Sequence, residues 1–305
     1  MSKRRLTRES LMGLLFVGPW LIGFVMLTIG PILYSAFMSL TDFNILSSPV
    51  FTGLDNYRRL FTRDPLFYRA LGNTCTYVFV AVPMQIVLAL GFAVMLDQPV
   101  VGKSAFRTFF FLPSILPEVA TAIVWAFIFN PTYGLMNSML ALIGVQGPQW
   151  LNSSDWAMTC VIIMSLWGIG GTIIIFLSVL QGIDTALLEA AALDGAGKGR
   201  SFFYLKLPMI TPILLFNLVM GFIGGFKIFT FSYVMTGGGP AFSTLTYALY
   251  IYKNAFEYFD MGYASALSWV FFALIALCTA LLFRSSPFWV YYESEISARA
   301  KRGRS

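Results

Sequence analysis

The sequence predicts an all-α polytopic membrane protein with six spans, and three observations predict it. Of 305 residues, 58% are hydrophobic and only 11% charged, with a mean hydropathy of +0.76. A soluble domain carries roughly 25% charged residues, so this chain has too little charge to clothe a soluble surface and lipid must be its solvent. Six stretches reach the ~20 mostly apolar residues that a helix needs to cross the hydrocarbon core. They are residues 11–40, 74–96, 108–129, 157–180, 209–235 and 262–283. Finally, Lys and Arg fall unevenly on the two sides those spans define.

The first stretch follows a basic start, Lys3-Arg4-Arg5. Its apolar run outlasts the roughly 7–15 residues of a signal-peptide core and no A-x-A site follows, so it reads as an uncleaved span. Gly18-Pro19 and Gly30-Pro31 interrupt it, as Gly224-Gly225 interrupt the fifth stretch. Breaks of this kind survive in a bilayer only where neighbouring helices or a cavity satisfy the freed backbone groups. The second span carries Cys75, the third Glu118, and the fourth is interrupted by Trp167-Gly168-Ile169-Gly170-Gly171. Residues 181–208 form the loop before the fifth span, and Gly237-Gly238-Gly239-Pro240 makes a turn after it.

With the N-terminus in the cytoplasm, fourteen Lys and Arg lie inside: Lys3, Arg4, Arg5, Arg8, Lys103, Arg107, Lys198, Arg200, Lys206, Arg284, Arg299, Lys301, Arg302 and Arg304. Five lie outside (Arg58, Arg59, Arg63, Arg69 and Lys253), and Lys227 lies within a span. The positive-inside rule therefore puts both termini in the cytoplasm. The net charge of +6 is a topology signal rather than a nucleic-acid footprint, and no nucleic-acid partner is expected.

Several chemistries are excluded. Cys75, Cys160 and Cys278 lie in three different spans without a C-x-x-C pair, and the chain has no His. A zinc site on Cys and His and any His-dependent catalytic triad are thereby ruled out. The cysteines read as small packing residues. No catalytic and no metal-ligating residues are expected. No G-x-x-x-x-G-K-[ST] loop occurs, so ATP is not bound in the P-loop manner.

The block from Glu189 to Pro212 has its own chemistry. Thr185 to Ala196 is rich in strong helix formers, Ala186 to Leu193 in sequence. Asp184 or Thr185 supplies an N-cap, and Gly195 with Gly197 turns the chain. A second helix at about 199–206 is expected to close at Leu207-Pro208. The small Ala190 and Ala191 permit close approach, Leu187, Leu188 and Phe202 are apolar knobs, and Glu189 and Asp194 can pair with basic groups. An unpartnered amphipathic loop helix and a docking element fit that periodicity equally.

The block resembles the EAA signature of permease subunits of binding-protein-dependent ABC importers. Glu189-Ala190-Ala191, Asp194-Gly195-Ala196, Leu207-Pro208 and Pro212 fall at the signature's spacing, with Leu205 where the family usually has Ile. The whole chain is similar to carbohydrate-uptake permeases of the MalF/UgpA type. The further matching pieces are Pro31-Ile32-Leu33-Tyr34-Ser35, Ser39-Leu40-Thr41-Asp42, Gly53-Leu54-Asp55-Asn56-Tyr57, Arg107-Thr108 with Phe111-Leu112-Pro113, Tyr133-Gly134-Leu135-Met136-Asn137, the Gly237–Pro240 turn with Thr236, and Gly262-Tyr263-Ala264-Ser265-Ala266.

The resemblance implies the type I ABC importer permease fold as a single domain in a prokaryotic cytoplasmic (inner) membrane. It implies a second permease subunit, two ATP-binding subunits that hold ATP and Mg, and an extracytoplasmic sugar-binding protein. The chain itself would bind no cofactor and catalyse nothing. ATP hydrolysis in the partners would act through Leu187, Leu188, Glu189, Ala190, Ala191, Asp194, Gly195, Ala196, Phe202, Leu207 and Pro208.

A translocation path is also expected. Charges within spans default to function, and Glu118 and Lys227 are such charges; an ion pair and separate positions along an aqueous path are both open, the pair being favoured. Trp167, Gly168, Gly171, Gly221, Gly224 and Gly225 match by position places where MalF-type permeases contact sugar. Gly221 reads as a packing glycine, Gly224 and Gly225 as cavity glycines. Trp125, Trp167, Phe226 and Phe229 are candidates for stacking on sugar rings. The cargo implied is a sugar of di- or oligosaccharide size, with glycerol phosphate, a polyol or a uronate oligomer as alternatives. A secondary transporter would show inverted repeats and a coupling-ion site, and an intramembrane enzyme a cluster of His, Asp or Glu; neither pattern stands out.

Overall fold

The computed structural model describes residues 8–99 and 102–291, which are mostly helical. Lys3, Arg4, Arg5, Arg299, Lys301, Arg302 and Arg304, and with them the expected placement of both termini, lie outside the described residues.

Helix α1 (Arg8–Phe24) passes through a π-helical turn (Val25–Ile29) into α2 (Gly30–Met38). The amide of Gly30 donates to the carbonyl of Val25, five residues back. Proline lacks an N–H and its ring clashes with the carbonyl four residues earlier. Widening the turn just before Pro31 relieves both problems, so the expected break at Gly30-Pro31 is absent and Leu15–Met38 is one apolar helix of 24 residues. Two short strands follow, β1 (Thr41–Asp42) and β2 (Val50–Phe51), paired antiparallel with Thr41 opposite Phe51. Next come α3 (Asp55–Thr62) and α4 (Pro65–Asp97), whose 33 residues begin well before the expected residue 74.

The third span is not one helix. α5 (Lys103–Ile115) and α6 (Glu118–Ile128) meet at 99°. Leu116 is extended (φ −70°, ψ 141°), as a residue ahead of proline is driven to be. After α7 (Leu135–Leu142), the fourth span consists of α8 (Ala157–Ser165) and α9 (Gly170–Gln181), bent by 46° at a 3₁₀ turn, Leu166–Gly168. Then come α10 (Thr185–Leu193) and α11 (Lys198–Ser201), a second π-helical turn (Phe202–Lys206) and α12 (Leu207–Phe226). Leu207-Pro208 does not close the second helix as expected. The Leu207 amide donates to Phe202, again five residues back and again just before a proline, and Lys198–Phe226 runs on as one apolar helix.

The fifth span also departs from expectation: it passes through Gly224-Gly225 without a break and stops at Phe226 rather than residue 235. α13 (Thr230–Thr236), α14 (Tyr247–Tyr252) and α15 (Met261–Ser285) complete the chain. Among the described residues, four helices are long and apolar enough to cross a membrane, and six spans result if each bent pair is one span.

The chain divides into two compact units. One takes the chain up to Asp64 with Ile251–Phe272; the other takes Pro65–Tyr250 and the chain from Ala273 onward. In the first unit, three of the matched motifs meet at a junction. The Asn56 side-chain amide donates to the carbonyls of Ser39 (3.0 Å) and Thr41 (2.8 Å), and the Tyr57 hydroxyl to Ser39 Oγ (2.8 Å). Gly262 donates to Phe43 O at 3.0 Å. A Cβ on Gly262 would lie 2.1 Å from Thr41 O, so only glycine permits that approach. Arg59 pairs with Asp260 at 2.6 Å and lies 4.1 Å from the Tyr263 ring centroid, while the Tyr263 hydroxyl donates to Asp64. Asn56 and Tyr57 thus face inward, and Arg58 is exposed.

In the second unit α4 is central, packed against α9 and α12. Ala81, Ala89, Ala93 and Val78 of α4 are fully buried, as is Phe176 of α9. A second core gathers Ala122, Phe129, Trp150, Cys160, Met164 and Met235. The loop after α13 is tied to α4, since Asn73 donates to the carbonyls of Phe242 and Leu245 and the Tyr247 amide donates to Thr74 Oγ1 at 2.8 Å.

Candidate functional site

Within the second unit, two adjoining cavities of about 380 and 250 Å³ share Tyr77, Gln85, Glu118 and Phe231 on their walls and form one cleft. The larger is lined by Gly221, Gly224, Gly225 and Lys227, the smaller by Trp167 and Gly168. All the expected path residues therefore meet except Gly171, which lines neither cavity. The reason lies one residue earlier: a Cβ on Gly170 would stand 2.0 Å from Phe110 O. That close approach seats the start of α9 against α5 and carries Gly171 off the cleft wall.

The glycines of α12 divide by what they face. A Cβ on Gly221 would lie 2.7 Å from Val82 Cγ1, and one on Gly225 would lie 3.0 Å from Val82 Cγ2 and 3.3 Å from Val78 Cγ2. Both let α12 close on α4, as small residues spaced four apart do in membranes. Gly225, read from the sequence as a cavity glycine, also packs. Gly224 has nothing within 4 Å of where its Cβ would be and opens the wall.

Glu118 and Lys227 face the same cavity but form no ion pair. Each is accommodated by its own helix end. Glu118 is the first residue of α6 and Lys227 caps the end of α12. A carboxylate is favoured at a helix N-terminus and a cation at a C-terminus. Neither needs the other.

The sequence did not single out Tyr77, Gln85, Ser114, Thr121, Ser165, Thr230 or Phe231, all on the cleft walls. Gln85 had a signal, being a polar side chain inside an apolar span. Its amide donates to the carbonyl of Ser165 (3.3 Å) and to Ser165 Oγ (3.1 Å), satisfying a carbonyl at the end of α8. Among the aromatic candidates, Trp167 and Phe229 line the cleft, Trp125 packs edge-on against Trp167 at 6.0 Å, and Phe226 is fully buried in the core. Phe226 is therefore unavailable for stacking on a ligand.

The second feature is the elbow of α10 and α11. Asp184 Oδ1 accepts from the amide of Ala186 at 2.9 Å and caps α10. α10 ends at Leu193, and Gly195 sits at φ +80°. Ala196 N–H donates to Ala191 O and Gly195 N–H to Ala192 O, the two bonds of a Schellman motif. No residue of α10 is buried. Leu187, Glu189, Ala190, Asp194 and Gly195 are exposed, and Leu188, Ala191 and Ala196 half-buried. Phe202, Leu207 and Pro208, half-buried, carry the chain from the elbow into α12. Lys206 Nζ bonds Asp97 Oδ2 at 2.7 Å, tying the elbow to the last residue of α4.

The family profile described as binding-protein-dependent transport system inner membrane component matches residues 85–292. A probable ABC transporter permease protein, YesP of Bacillus subtilis (strain 168), is 40% identical over 96% of both chains. The sulfoquinovosyl glycerol transport system permease protein SmoG of Agrobacterium fabrum is 33% identical over 90% of both. The crystal structure of a bacterial alginate ABC transporter in complex with alginate pentasaccharide-bound periplasmic protein contains a chain of the same fold. It superposes with a TM-score of 0.79 at 22% identity, covering 92% of this chain and 95% of that one.

Proposed function

Because the chain belongs to the family of binding-protein-dependent transport system inner membrane components, we propose that it is one of two permease subunits of an ATP-driven importer, passing a sugar from an extracytoplasmic binding protein into the cytoplasm. One observation carries this reading. The second helix of the elbow continues through the π-helical turn, as the apolar helix Lys198–Phe226, into the wall of the polar cleft. On this reading a push on α10 passes through α11 and that helix towards Gly221, Gly224 and Gly225.

α10 offers the partner ATPase an Ala-rich face with Leu187 as knob. Glu189 and Asp194 supply acceptors for basic groups. The two ATP-binding subunits hold ATP and Mg, and this chain is non-catalytic. Rigid-body rocking of packed helices then exposes the cleft to one side and the other. Within it, Tyr77, Gln85, Thr121, Ser165 and Thr230 supply the hydroxyls and the amide suited to a hydroxylated cargo, and Trp167 supplies a ring face, while Phe229 on the same wall is stacked on Tyr233.

A second reading narrows the cargo to an acidic saccharide. Lys227 favours it, since its ammonium faces the cavity without a carboxylate partner. The names of SmoG and of the alginate transporter are in keeping with it.

The test is co-purification followed by reconstitution. Tagged chain should bring down an ATPase and a second permease of similar size. Proteoliposomes of that complex, given the matching binding protein and ATP, should accumulate sugar. Accumulation driven by an ion gradient without ATP would overturn the proposal.

A further inference from the structure

We propose that the Lys206–Asp97 ion pair is a latch that makes α4 move with α12 when the coupling elbow is pushed. The inference rests on the importer reading above. The pair is bonded at 2.7 Å with side chains only 18% and 14% exposed, so it is largely withdrawn from the solvent that weakens surface pairs.

Three features of the surroundings assign it this role. Lys206 is the last residue of the π-helical turn Phe202–Lys206. This wide turn is the point at which the elbow's helix has given up regular α bonding ahead of Pro208, and π-turns of this kind sit often at functional sites. A stroke arriving from α10 and α11 can be lost there as bending.

Asp97 is the last residue of α4, where the helix dipole disfavours an anion. A residue that breaks its local rule needs a gain elsewhere, and its bond to Lys206 supplies one. A cavity of about 510 Å³ is lined by Val94 and Gln98, beside the end of α4, and by Leu188, Ala192 and Ala196 of the elbow. Side-chain packing does not fill that space, and Lys206, on the same cavity's wall, reaches α4 through the ion pair.

The two helices so joined form a single wall of the cleft. Tyr77 and Gln85 lie on α4, and Gly221, Gly224 and Gly225 on α12. Val82 and Val78 fit against Gly221 and Gly225 between them. With the latch closed, displacement of the elbow moves that wall as a body. With it open, the elbow is joined to that wall only through the π-helical turn into α12.

The experiment uses the complete importer in proteoliposomes, with ATP hydrolysis and sugar uptake measured together. Asp97→Asn and Lys206→Gln should each raise the ATP hydrolysed per sugar imported several-fold while the ATPase subunits still co-purify in full. Lys206→Arg and the exchange Asp97→Lys with Lys206→Asp should return the ratio close to that of the unaltered importer. An unchanged ratio in the single variants overturns the proposal. So does loss of the ATPase subunits, which would make the pair a docking or folding element, and so does failure of both rescue variants. If the unaltered complex imports no sugar on ATP, the importer reading itself fails, a result separate from any of these.

Discussion

Replacing Gly221 by alanine puts a methyl group where the structure leaves no room. Its carbon would stand 2.7 Å from Val82 Cγ1, and ordinary contact begins at 3.4 Å. The atom it meets belongs to a β-branched side chain, which has little rotamer freedom in a helix. Relief must therefore come largely from α4 and α12 drawing apart by roughly 0.7 Å, and a gap of 0.5–1 Å forfeits a quarter to a half of each dispersion contact along the seam. Overpacking of this kind costs about 1–3 kcal/mol.

Val82→Ala removes both methyls that crowd the glycine face and by itself should cost about 1–3 kcal/mol, a methyl deletion costing about 0.5–1.5 kcal/mol. The two changes together make space for one another, so the double variant should be at least ~1 kcal/mol more stable than the sum of the singles predicts. Thermal unfolding of the chain in detergent reads this directly, at roughly 2–4 °C per kcal/mol for a chain of this order. Additive shifts, or a silent Gly221→Ala, would refute the packing role of the seam.

Three further outcomes follow from single sites. Gly195→Val forces a β-branched residue into φ +80°, at a cost of about 1–2 kcal/mol or more; in the reconstituted importer ATP hydrolysis should persist while uptake falls, and normal uptake would count against the elbow's role. Lys227→Gln removes one charge-assisted hydrogen bond worth about 1.5–3 kcal/mol, so uptake affinity for an acidic saccharide should fall tenfold or more with neutral sugars unaffected; equal loss for both would eliminate the acidic-cargo reading. Asp184→Ala deletes the N-cap of α10 and should weaken that helix by about 1 kcal/mol, read as faster hydrogen exchange at Ala186.

What the sequence disclosed, and what it hid, divides along physical lines. The apolar, helical character of the chain and the position of the elbow were legible because they depend on composition and on local helix chemistry: apolar length, Asp184 as cap, and Gly195 as the left-handed turn. The breaks were harder. Pro31 and Pro208 read as helix ends because proline lacks a donor, yet a π-turn just before each lets the helix continue. Pro117 read as span interior, yet no such turn precedes it and the chain turns through 99°. Nothing in the residue pattern separates these cases, because the outcome depends on what the chain packs against.

Asp97 gave a single local sign, an acid at the end of a span, and only the fold brings Lys206 to it. Gly221 and Gly224, alike in sequence, differ in that Val82 faces one and open space the other. Asn56 and Tyr57 sat in a matched motif whose contacts the sequence left open, and the fold turns them inward onto Ser39 and Thr41.

The cleft sits where helices stop, and that coincidence explains its charges. The α5–α6 break contributes Leu116 and Glu118, the α8–α9 break Trp167 and Gly168, and the end of α12 Lys227, Ile228 and Phe229. An unbroken apolar helix shows a cavity nothing but side chains, whereas a helix end adds unpaired amides or carbonyls and half a unit of charge. Glu118 at an N-terminus and Lys227 at a C-terminus are each matched to the end that carries them, which is why they share a cavity without joining. A buried ion pair costs about 3–5 kcal/mol when one member is removed, because the other is left uncompensated. Here each charge keeps its own helix end, so Lys227→Gln should leave thermal stability within about 0.5 kcal/mol of the unaltered chain, as an exposed substitution does. A large destabilisation would mean that the two charges depend on one another after all, and would remove the ground for treating Lys227 as free to meet cargo.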